Sequence, residues 1–144
     1  MVGVIKNATI IEMKIESYVD YFHDGSVIDI KHSGHNITID MSSAEMDPMD
    51  LVDDVVLSKR DTIVGRLYIL GVRGICINDR QFHGQLAKTH DSGSINNLSI
   101  DDTLVSLQVS WSDYPPKPRI ETDLFEIKIE ASKIYWENIP NLRD

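Results

Sequence analysis

The chain has 144 residues, 42% apolar and 26% charged, a balance that belongs to one folded globular domain spanning 1–144. Fourteen Lys and Arg against 23 Asp and Glu leave a net charge of −9, a field that repels phosphate backbones and argues against a nucleic-acid partner. No apolar run approaches the roughly 18 residues of a membrane helix, so no membrane partner is expected.

The opening, MVGVIKNATIIEMKIESY, lacks the basic and apolar regions of a signal peptide, and the single Cys76 offers no internal disulfide. The expected location is therefore cytoplasmic. Period-two alternation then dominates the chain and predicts strands. In IIEMKIESY, Ile11, Met13 and Ile15 share a face opposite Glu12, Lys14 and Glu16. SVIDIKH sets Ile28, Ile30 and His32 against Val27, Asp29 and Lys31. After Ser33-Gly34-His35, NITIDMS turns Ile37, Ile39 and Met41 inward, so the two runs read as a β-hairpin. Asp47 to Asp54 holds the only predicted helix, a short one with Asp47 as N-cap and Pro48 at the first helical position.

TIVGRLYILGV is apolar on both faces, as a strand covered on both sides would be, and Gly65, Gly71 and Gly74 mark bends or bulges within it. GICIN and HGQLAKT continue as short strands, and His90-Asp91-Ser92-Gly93-Ser94 reads as a turn into INNLSI. LVSLQVSW places Val105, Leu107, Val109 and Trp111 on one side; LFEIKIEAS does the same with Phe125, Ile127, Ile129 and Ala131. Pro115-Pro116-Lys117-Pro118 between them cannot donate to a ladder and reads as an extended loop. The sum is an all-β domain: an antiparallel meander of about nine strands forming a sandwich or a partly open barrel, with at most one short helix. An exposed edge strand of such a sheet would let two copies pair.

Little in the chain points to bond-making chemistry. His32 and His35 flank the hairpin turn and, with His23 or Asp24, form a candidate three-ligand zinc site for a metal-dependent hydrolase, but no cysteine pair or HExxH helix supports it. His90-Asp91-Ser92 holds the residue types of a hydrolase triad without the GxSxG elbow, and triads are assembled from separate segments. Cys76, between Ile75 and Ile77, reads as a small core residue rather than a nucleophile. No glycine-rich phosphate loop is present. The expectation is a non-enzymatic domain without cofactor or metal.

Two surfaces stand out instead. From Asp40 to Asp61, seven acids face two bases, a charge of −5 in 22 residues, and three of the chain's five methionines (Met41, Met46 and Met49) lie there too. Flexible apolar side chains among carboxylates suit contact with a basic protein. Glu45, Met46, Asp47, Met49, Asp50, Asp53 and Asp54 are the candidate contact residues, with Tyr114 beside the proline loop as an aromatic anchor. The alternative is a small-ligand or carbohydrate binder using a concave sheet face or barrel mouth lined by Tyr68, Tyr114 or Trp136.

Tyr21-Phe22-His23-Asp24-Gly25 before an alternating hairpin, Asp91-Ser92-Gly93-Ser94-Ile95 leading into the strand that ends at Trp111, and Lys133-Ile134-Tyr135-Trp136-Glu137 resemble stretches of small β-rich bacterial proteins of immunity type. The resemblance implies a small, cytoplasmic, acidic protein that neutralises a partner toxin by binding it. It implies no catalytic residues, and it makes His23-Asp24 structural, capping the turn before the hairpin.

Overall fold

The computed structural model describes residues 14–51, 55–113 and 123–144. Seven antiparallel strands are formed: β1 (Ser26–Ser33), β2 (Asn36–Ser42), β3 (Val64–Ile77), β4 (Arg80–Gln81), β5 (Ser92–Ile100), β6 (Leu104–Ser112) and β7 (Asp123–Asn138). Six of them close into a barrel in the order β2-β1-β5-β6-β7-β3, with β2 returning to pair with β3. The two-residue β4 extends the end of β3.

The all-β antiparallel expectation therefore holds, but nine strands become seven and the sheet is a closed barrel, not a sandwich or an open one. The single meander also gives way. β1-β2-β3 and β5-β6-β7 are each meanders, and the barrel closes through β1–β5 and β3–β7, pairs distant in sequence. Each of the six barrel strands has a partner on either side over part of its length, and the β1–β5 seam is two residue pairs long.

The long β3–β7 ribbon explains how one barrel serves two halves. The first half of β3 pairs with β2, and the first half of β7 pairs with β6. Between them the register slips at Val72/Gly74, where β3 carries one extra residue. Gly71 supplies a left-handed turn there (φ 66°), one that a side chain would resist. Such bulges turn corners in barrels. The glycines at 71 and 74 thus mark the bend that their sequence implies, and GICIN is simply the end of this same strand.

The predicted strand around IIEMKIESY is instead a 3-10 helix at Ile15–Phe22; residues before 14 lie outside the described set. Its buried residues are Ile15, Tyr18 and Phe22, spaced by three and four, which is a helical interval. This helix caps one barrel end, with Phe22 meeting Trp136 edge-on at 5.7 Å between centroids. The helix predicted for 47–54 is a single 3-10 turn, Pro48–Asp50, within the described part. HGQLAKT forms no strand: residues 82–91 cross the other side as an irregular loop that sinks Leu86 into the core. Ser92–Ser94, read as a turn, already belong to β5. The Pro115–Pro118 loop lies outside the described residues.

The interior is filled. Ile37, Ile39, Leu67, Ile69, Ile95, Val105, Leu107, Val109 and Ile129 have no solvent exposure, and Trp111 closes the same cluster. Full burial of each such side chain contributes about 1.5–3 kcal/mol. In β1 a bulge between Val27 and Asp29 lets both Val27 and Ile30 point inward, so the simple alternation of Ile28 with Ile30 fails there. Among the described residues no helix is long and apolar enough to cross a membrane.

Candidate interaction surface

Residues 43–51 leave the barrel after β2 and residues 55–63 return to β3; the described part of this connection is called the strap. Its base is clamped by Ser43 N–H to the Ile63 carbonyl (2.8 Å), Ile63 N–H to Ser43 Oγ (2.8 Å) and Met46 N–H to the Asp61 carbonyl (2.9 Å). Beyond this base, Asp47 caps a turn that Pro48 pre-sets. Its carboxylate accepts from Met49 N–H and its carbonyl from Asp50 N–H, each at 2.9 Å.

This local chemistry sorts the methionines. Met41 is wholly buried in β2, and Met46, 6% exposed, packs into the core beneath the strap. Met49 is 87% exposed. Glu45, Asp47 and Asp50 are exposed beside it. Of the candidate contact residues, then, the strap presents Glu45, Asp47, Met49 and Asp50, whereas Met46 is an internal anchor. Asp53, Asp54 and Tyr114 lie outside the described residues. The arrangement offers a flexible thioether among carboxylates, held by a capped turn.

The histidines are dispersed. His23 donates from Nδ1 to the Asn96 carbonyl (2.6 Å), tying the turn before β1 to the bulge of β5, and Asp24 sits there in a left-handed conformation (φ 68°). His32 accepts the Leu86 N–H on Nδ1 (2.9 Å), which leaves Nε2 to donate to the Gly34 carbonyl (3.2 Å). One ring nitrogen thereby holds the 82–91 loop and the other the β1–β2 hairpin turn. His35 is exposed on the hairpin turn. Among the described residues no three His, Cys, Asp or Glu side chains converge as a metal site.

His90 does enter a relay, with partners the sequence did not suggest. Its Nε2 meets Asp123 at 2.9 Å, Thr89 Oγ1 lies 2.8 Å from Nδ1, and the ring stacks on Trp111. Ser92 takes no part. Thr89 is exposed and consecutive with the imidazole, so the group fastens the loop to the start of β7. Local pattern could not reveal it, because Asp123 is brought in only by barrel register.

The outer face of β2-β3-β7 carries a ladder of polar and aromatic pairs. Arg66 donates to both Asp40 oxygens, from Nε at 2.7 Å and from Nη2 at 3.2 Å. Tyr68 donates to Glu137 Oε1 (2.6 Å) and stacks on Tyr135 at 4.6 Å, while Lys133 lies 5.2 Å from the Tyr135 ring centre. The hydrogen bond to Glu137 raises the Tyr68 pKa, and the pairing with Asp40 raises that of Arg66. These rings stack on one another and are not open platforms. Trp136 is 4% exposed and belongs to the core, so neither Tyr68 nor Trp136 lines a mouth. Comparison of the chain with family models, with curated proteins and with solved structures found no match.

Proposed function

We propose that the chain is a non-enzymatic protein-interaction domain that binds a basic partner through the strap at 45–50, in the manner of an immunity-type inhibitor. The observation that carries this reading is Met49, an apolar side chain 87% exposed on a capped turn and flanked by exposed carboxylates. Leaving a methionine in water forgoes about 1.5–3 kcal/mol that a partner surface would recover. The capped turn holds it in place beforehand, so less ordering is lost on binding. The surrounding acids and the −9 net charge would draw a basic partner in before the methionine seats.

The test is affinity capture from native lysate with the wild type, M49S and D47N/D50N, at low and moderate salt. A basic protein retained by the wild type, lost with M49S and weakened by salt and by D47N/D50N is the expected result. An identical set of captured proteins for all three baits would refute it.

A further inference from the structure

A second feature lies on the barrel end capped by the 3-10 helix, where the start of β1, the end of β2, the 58–62 turn and the last residues meet. They enclose a cleft of about 630 Å³, within the range of about 300–1,000 Å³ typical of small-molecule sites. Its lining is mostly polar, with three cations, Lys59, Arg60 and Arg143, and three carboxylates, Asp24, Glu45 and Asp144, around one space.

The hydrogen-bond accounting shows what this cleft presents. Ser58 Oγ accepts the N–H groups of Arg60 and Thr62, each at 3.2 Å, so its own proton goes to Thr62 Oγ1 at 2.6 Å. Lys59 is partly engaged by Asp144 at 3.8 Å. Arg60 and Arg143 have no carboxylate partner among the described residues, whereas Arg66 is paired with Asp40 and Arg73 with Glu130. Two arginines without a carboxylate partner lining one cavity suit an oxyanion, since guanidinium binds such groups bidentately. The cavity is much larger than an inorganic anion. Asp24 and Glu45, which also line it, are acceptors suited to hydroxyl groups.

We infer that this cleft binds a small polyhydroxylated molecule bearing a phosphate group, the anion on Arg60 and Arg143 and the hydroxyls on Asp24 and Glu45. The site shares Glu45 with the strap but does not use Met49, so M49S tells the two apart.

The experiment is a titration of the full chain followed by amide chemical shifts, using glucose 6-phosphate, glucose and inorganic phosphate as probes. Glucose 6-phosphate is expected to shift amides of 24–26, 42–45, 58–62 and 140–144, with inorganic phosphate weaker and glucose silent. R60Q and R143Q should each weaken binding about tenfold, the loss of a charge-assisted hydrogen-bonded pair. M49S should leave it unchanged. Equal responses to glucose and glucose 6-phosphate, shifts spread to Arg66, Arg73 and Arg80, or full binding by folded R60Q/R143Q would each overturn the inference.

Discussion

Asp40 and Arg66 are the most consequential charged pair of the barrel wall: Asp40 is 7% exposed, and its carboxylate is gripped by two guanidinium nitrogens. Removing one partner strands the other in a half-dry site, so D40A should cost about 3 kcal/mol in urea unfolding. Tyr68 adds a pH dependence. Its hydroxyl gives its proton to Glu137, which holds its pKa above the ordinary value of about 10. The folded state thus keeps a proton that the unfolded chain releases, so this contribution is complete below the unfolded value and is lost as pH rises through the folded one. Compared with Y68F, the wild type should lose stability faster as pH rises from about 10 toward the folded value; parallel curves would contradict the assignment. Neither pair was announced by sequence, because 26 residues separate Asp40 from Arg66 and 69 separate Tyr68 from Glu137. Of the four positions, alternation placed only Asp40 outward, opposite Ile37, Ile39 and Met41; the strand of Arg66 and Tyr68 read as covered on both faces, with Tyr68 a candidate for a concave face or barrel mouth.

Among elements, the strands with clean alternation were legible and those with irregularities were not. β6 keeps Val105, Leu107, Val109 and Trp111 inward without a break, as its pattern says. β1 defeats the same reading because one extra residue resets its phase. The 15–22 helix was hidden for a different reason: a window ending at Tyr18 sees alternation, and only Phe22 reveals the spacing of three and four. The weakest junction is β1–β5, which pairs over only Ser26↔Ser94 and Val27↔Gly93. Beyond it the His32–Leu86 hydrogen bond closes the gap. H32A should therefore speed hydrogen exchange at Leu86 and along β1 while leaving β6 protected. At the capped end, F22A should cost about 3–5 kcal/mol, since the vacated space faces Trp136 and cannot collapse readily.

For the whole molecule, period-two alternation with its turn signals was enough for the all-β class, while closure and strand order were not, because β1–β5 and β3–β7 pairing leaves no local trace. Gly93 shows how tightly the closed form is packed: a Cβ there would sit 2.7 Å from the Trp111 ring. G93A should destabilise by about 1–3 kcal/mol, as overpacked cores do. A barrel filled in this way turns recognition outward, and the acidic strap was visible in sequence as charge without any sign of which methionine it exposes. Only the structure separates Met46, inside, from Met49, outside.

The most direct measurement is the association kinetics of the captured basic partner with wild type, D47N/D50N and M49S over a series of salt concentrations. Association should slow several-fold with salt and with D47N/D50N while dissociation changes little, and M49S should instead hasten dissociation. Association indifferent to salt and to D47N/D50N, with dissociation unmoved by M49S, would contradict the account.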